Sequence, residues 1–266
     1  MNIAMTINAT EIINAIGDGV AEALKTNTLF LGVEVGTFNN ADIHPEYVIT
    51  VEVAKRLAAL DRRVSLETHM KELRRAAGGM AKLRSRSSGA TLTDIEDILA
   101  RYRFGKKDSQ RLDILVRSSD GLLPPLLIAE AKLGVKNASG VIQDIDRVAT
   151  LFSMYNDLQL LEQNNVYGAV LFHSMEEGNA VGTESQKAQD LLARLGVYLT
   201  DLRRRMPWLN AKAGLLTIGR KIQPVEGYKE IYPDGSSEDV FAKDSFTFAP
   251  GLVLVGNAQD VATATF

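Results

Sequence analysis

Two apolar runs, RLDILVR at 111–117 and LLIAEAK at 126–132, are joined by the turn-forming segment SSDGLLPP and read as a buried strand pair. Inside that pair Asp113, Glu130 and Lys132 are out of place unless they share a task. Strand side chains alternate faces, so Ile128, Glu130 and Lys132 project to one side and Leu127, Ala129 and Ala131 to the other. If the connection closes an antiparallel pair symmetrically, Arg117 faces Leu126 and Asp113 faces Glu130. Directly opposed residues hold their Cβ atoms roughly 4.5–5.5 Å apart, where like charges repel. Two carboxylates held there need a cation. Mg²⁺ suits them, with Mn²⁺ as a substitute, because it takes one or two carboxylates and keeps waters that a phosphate can replace. Lys132, on the same face, is placed to orient an attacking water or to neutralise charge building on a phosphate. The competing reading is an edge strand with Glu and Lys on its solvent face. Against it, Ile128 shares the charged face and LLIA reads as buried on both sides.

With 266 residues the chain can hold one large domain, or one domain with an appendage. A hydrophobic share of 45% places it among soluble globular proteins. The absence of cysteine removes disulfides and thiolate metal sites, and His44, His69 and His173 are too scattered for zinc, so oxygen ligands remain. The N-terminus MNIAMTINATE has no basic region or long apolar run, and no stretch approaches the ~18 apolar residues of a spanning helix. A cytoplasmic protein with no membrane partner is expected. The net charge of −3 argues against a generally basic nucleic-acid binder. Between Lys55 and Arg111, however, fifteen Lys and Arg stand against seven Asp and Glu, which makes this segment the expected phosphate-contacting surface.

Residues 9–25 carry Ile12, Ile13, Ile16, Val20 and Leu24 at helical spacing, with Thr10 as the expected cap, and LFLGVEV at 29–35 reads as a strand. Pro45 opens a second helix, EYVITVEVAKRLAAL. RVSLETHMKEL reads as a short strand entering a helix. The stretch 73–94, interrupted by Gly78, Gly79 and Gly89, reads as a mobile basic loop carrying Arg74, Arg75, Lys82, Arg84 and Arg86. Thr93 and Glu96 suit a capping box for the helix DIEDILARYRF. From Ser139 to about Asp157, Val141, Ile145, Val148, Phe152 and Tyr155 form a helical stripe, while Gln143 and Arg147 share a different face. VYGAVLFHS at 166–174 is a buried strand, so β–α–β follows the hairpin, and a long amphipathic helix occupies 184–206. AGLLTIG, a Pro-Asp-Gly turn at 233–235 and FAPGLVLVG imply a β-rich C-terminal portion. The expected fold is α/β with a central mixed sheet: an N-terminal extension at 1–44, a core at 45–220 and a C-terminal extension at 221–266.

Asp113 followed after a gap by Glu130-Ala131-Lys132, placed on a hairpin before a helix and a strand, resembles the PD-(D/E)XK nuclease superfamily and its restriction-endonuclease-like core. Leu112 stands where the name's Pro would be. The resemblance covers about residues 46–175 and implies Mg²⁺-dependent phosphodiester hydrolysis, most naturally of DNA. It implies Asp113, Glu130 and the main-chain carbonyl of Ala131 as metal ligands and Lys132 as the residue that positions water. A third acid from the preceding helix would be Glu52, with Glu67 as the competing candidate. Gln143 or Arg147 would face the site from the following helix. Arg74, Arg75, Lys82, Arg84, Arg86, Lys106 and Lys107 are the candidate contacts to nucleic acid. Proteins of this kind resemble parts of prokaryotic restriction, phage-defence or repair systems, as homodimers or beside a companion protein. Two alternatives stay open: a catalytically inactive module that binds nucleic acid or scaffolds a complex, and a protein-interaction subunit.

Overall fold

The structure, a computed structural model, describes residues 7–30, 45–60, 62–88, 92–104, 110–117, 123–132, 135, 137–162, 164–177, 186–217, 228–240 and 246–266. Helix α1 (Ala9–Phe30) is capped by Asn8, whose Oδ1 accepts the Glu11 N–H at 2.9 Å while its own N–H donates to Glu11 Oε2 at 3.0 Å. This reciprocal cap replaces the expected one at Thr10, which lies inside the helix. Leu29 and Phe30 close α1 instead of starting a strand, and 31–35 fall outside the described residues. Helix α2 (Pro45–Ala58) begins at the proline and buries Ile49, Val53 and Leu57.

Strand β1 (Arg63–His69) enters helix α3 (Met70–Ser88) directly, and α4 (Leu92–Arg101) follows. The segment expected to be a mobile basic loop is therefore helix through Ser88. Its glycines do not break it, because Leu73, Ala77, Met80 and Ala81 bury its inner face. A Cβ on Gly78 would lie 2.6 Å from Leu99 Cδ1, so the glycine serves the close approach of α4. Because α4 starts at Leu92, Thr93 stands within it rather than ahead of it as a cap.

The remaining elements are β2 (Arg111–Arg117), β3 (Leu127–Lys132), α5 (Ser139–Asp157), β4 (Tyr167–Glu177), α6 (Gln186–Arg205), β5 (Asn210–Leu215), β6 (Tyr228–Ile231), β7 (Ser237–Val240), β8 (Phe246–Gly256) and α7 (Asp260–Thr263). Six strands form one mixed sheet in the order β1-β2-β3-β4-β8-β5, with β3 and β4 parallel and the other neighbours antiparallel. The parallel pair needs a crossover, which α5 provides. β6 and β7 make a separate hairpin around Pro233-Asp234-Gly235.

Both faces of the sheet are covered. Ile128, Val170, Phe172, Val253 and Val255 join the core under α3–α6, while Leu127, Ala129, Leu171, Leu252 and Leu254 join the core under α1, α2 and α7. Burial on both sides explains why the central strands read as continuous apolar runs. The C-terminal strand β8 runs between β4 and β5, so this part of the chain is interior to the sheet rather than an extension beside it. Asp260 ties the chain's two ends, its Oδ2 accepting the Ala9 N–H at 2.8 Å and the Tyr167 hydroxyl at 3.0 Å. Among the described residues no helix is long and apolar enough to cross a membrane.

Candidate active site

β2 and β3 pair in the expected register, Ile114 against Ala129, Leu115 against Ile128 and Val116 against Leu127. One step further this register sets Asp113 against Glu130, but the backbone ladder stops before them. There Asp113 Oδ2 accepts the Ala131 N–H at 2.7 Å, so a carboxylate takes the place of a strand carbonyl. On the far side of β2 the ladder with β1 has one gap, where Glu67 stands opposite Asp113. Glu67 has φ of +53°, in the left-handed region. For a residue with a Cβ that conformation costs roughly 1–2 kcal/mol. Glu67, Asp113 and Glu130 thus lie at one level across three adjacent strands.

Glu130 and Lys132 share the face of Ile128, toward α5. The helix sits close on the sheet because β4 offers Gly168 beneath it; a Cβ there would meet Val148 Cγ1 at 2.3 Å. The close fit brings the next turn of α5 onto β3. The Arg147 guanidinium donates to Glu130 Oε1 at 2.6 Å and lies 3.0 Å from Asp144 Oδ1. Glu130 and Asp144 are each only 4% exposed, so neither can be satisfied by bulk water. Lys132 is exposed, and its stem runs over the first turn of α5, where a Cβ on Gly140 would lie 3.4 Å from its Cε.

Burial pushes the Glu130 carboxyl up to about 8, with Arg147 opposing the rise and Asp113 adding to it. Asp113 is raised by burial too, while the Ala131 N–H and a hydrogen bond with Glu130 pull it down and the Glu67 charge pushes it up. Asp144 is raised by burial against the pull of Arg147 and Lys132. Arg147 acts on Asp113, Glu130 and Asp144, Lys132 on Asp144, and Glu67 already has Arg111 at 3.6 Å, so with all three acids ionised the cluster would be one cation short. A desolvated cluster short of positive charge is one that a hard cation relieves. Among the described residues no group of three or more His, Cys, Asp or Glu side chains is arranged to hold a metal ion. The donor set available is the carboxylate pair with the Ala131 carbonyl, a small number that suits an ion keeping most of its waters.

The other sequence-predicted residues scatter. Glu52 lies on α2, whose apolar side joins the core on the opposite face of the sheet, and it accepts from Lys55 Nζ at 2.7 Å. It is not among the charges acting on Asp113 or Glu130, whereas Glu67 is. Gln143 is exposed on α5, one residue away from the inward-facing Asp144. Of the basic residues on α3, Arg74 donates to the Tyr102 carbonyl at 2.9 Å, Arg84 to the Gln159 carbonyl at 2.8 Å, and Lys82 pairs with Glu96 at 3.1 Å. These contacts staple α3 to its neighbours; Arg75 is exposed. Arg86 belongs to α3, and Lys106 and Lys107 lie outside the described residues.

Sequence reading passed over Asp144. The signal was available, since position 144 is three residues from Val141 and four from Val148, within the apolar stripe. An acid there is buried and needs a cation one turn on to meet it, and Arg147 is that cation. Compared with protein families, curated proteins and solved structures, the chain gave no match.

Proposed function

We propose that the protein is a metal-dependent nuclease of the PD-(D/E)XK type that hydrolyses phosphodiester bonds in DNA. The observation that carries this reading is the meeting of Asp113 and Glu130 at the open end of one hairpin, with Lys132 two residues on along the same face of β3, within the order helix α2, hairpin β2–β3, helix α5, strand β4. Asp113, Glu130 and the Ala131 carbonyl hold Mg²⁺ or Mn²⁺. When bound, the ion supplies Lewis-acid stabilisation of charge developing on the phosphate. The exposed ammonium of Lys132 orients the attacking water and takes up part of that charge. Of the two candidate third acids, Glu67 rather than Glu52 acts on the pair, by its charge on Asp113 rather than as a ligand, because it stands opposite Asp113 in a strained backbone conformation. DNA as substrate rests on the positive surplus between Lys55 and Arg111, of which Lys71 and Arg75 are exposed on α3. By the same resemblance the protein serves a cytoplasmic restriction, phage-defence or repair system, as a homodimer or beside a companion protein.

The test is cleavage of linear and supercoiled DNA by purified protein with Mg²⁺ or Mn²⁺ and with chelator. Cleavage should require the ion and fall at least about 100-fold in Lys132→Ala, the scale of a lost acid–base group. It should vanish in Glu130→Ala. Cleavage that persists unchanged in both variants contradicts the assignment. One observation favours the inactive, nucleic-acid-binding alternative, namely that Arg147 already bonds Glu130. Salt-sensitive DNA retention without cleavage under any divalent ion would select it.

A further inference from the structure

Arg147 uses its two terminal nitrogens on two different carboxylates, and those carboxylates differ in kind. Glu130 belongs to the proposed metal site and sits on β3; Asp144 belongs to the same helix as Arg147, three residues earlier. The Glu130 contact is where a metal ion would have to act. The Asp144 contact moves with the helix and is independent of the hairpin. A guanidinium and a divalent ion on one buried carboxylate repel each other strongly, since charges in a poorly solvated site are weakly screened. The Arg147 side chain is 24% exposed, against 4% for that of Glu130, so part of it already reaches solvent.

We propose that Arg147 is a two-position cation: it bonds Glu130 while no metal is bound, and on metal entry it stays anchored on Asp144 and turns its freed nitrogen to a phosphate of the nucleic acid. The inference rests on the nuclease reading and deepens it, by coupling metal occupancy to substrate binding. Guanidinium suits the second position because its planar fork grips phosphate oxygens. Asp144 is then a positioning residue, acting only through Arg147. An arginine without Asp144 would have no partner to hold it beside the site once Glu130 was taken.

The test is calorimetric titration of Mn²⁺ into wild-type protein, Arg147→Met, Asp144→Asn and the double variant, with circular dichroism to establish that each is folded. Removing the competing cation should tighten Mn²⁺ binding about fivefold or more in Arg147→Met. Asp144→Asn should weaken it, and the same substitution in the Arg147→Met background should change it less than about twofold. Retention of a labelled DNA duplex should be strengthened by the ion in wild-type protein and not in Arg147→Met. Mn²⁺ binding by Arg147→Met at wild-type strength or weaker overturns the proposal, as does an Asp144→Asn effect of equal size in both backgrounds. Wild-type protein that binds no Mn²⁺ overturns the nuclease reading itself, and this proposal with it.

Discussion

Glu130 makes the metal-free protein less stable as pH rises. Its carboxyl, ordinarily near 4.5, is pushed up to about 8 by burial, so the folded state holds the proton more tightly than the unfolded chain does. A group raised in this way contributes stability that is fully present below its unfolded value and is lost as pH rises through its folded value. Buried His173, lowered to about 4, titrates with the opposite sign below its ordinary 6.5, so thermal melts in chelator should show the midpoint falling from about pH 6.5 to about pH 8, and Glu130→Gln should flatten that decline. Melts of the variant with wild-type pH dependence would show that Glu130 is not the titrating group. Glu67 behaves otherwise. Its side chain is 50% exposed and its partner Arg111 is 53% exposed, and exposed pairs contribute under about 1 kcal/mol. Glu67→Gln should leave the melting temperature within a few degrees of wild type and still weaken Mn²⁺ binding. Equal metal affinity in the variant would return the third acid to an open question. The register that opposes Asp113 to Glu130 was legible from the symmetric closure of the hairpin. The left-handed Glu67 was not, because nothing in RVSLETH departs from an ordinary strand, and the strain arises only where three strands meet.

At the scale of elements, the position of α5 decides whether the hairpin's charges have partners. That position depends on Gly168, whose missing side chain admits Val148, Val255 and Phe152. Gly168→Ala forces a methyl into valine side chains 2.3 and 2.7 Å away and should destabilise the protein by about 1–3 kcal/mol, the usual cost of overpacking. Denaturant melts check this; a neutral result would mean that α5 slides over β4 freely. The helices α2, α5 and α6 were legible because their apolar residues recur at helical spacing. Helix α3 was not, since Gly78 and Gly79 read as breakers, whereas Gly78 admits Leu99 of α4 and Gly79 stands on the exposed face of a helix held by its buried side. The same misreading turned stapled arginines into free ones. Arg74 and Arg84 donate to carbonyls at 2.9 and 2.8 Å, which is a structural task that charge counting along a sequence cannot distinguish from phosphate binding.

For the whole molecule, the sheet order makes the last part of the chain indispensable. β8 separates β4 from β5 and supplies Leu252, Val253, Leu254 and Val255 to both cores. A chain truncated after residue 245 should fail to give a cooperative unfolding transition, and a stable truncated product with native circular dichroism would contradict the sheet order. Local patterning marked FAPGLVLVG as a strand but carried no sign of its neighbours, because antiparallel insertion between two earlier strands is decided by long-range packing. The register of the hairpin, by contrast, is local, and so it was more legible than the topology that surrounds it. The central claim is that Asp113 and Glu130 together hold one divalent cation. Calorimetric titration of Mn²⁺ into wild-type protein and into Asp113→Asn, which keeps an oxygen to accept the Ala131 N–H, tests it most directly. One site that binds in the wild type and is lost in the variant is the predicted result; binding of equal strength in the two proteins, or none in the wild type, would contradict it.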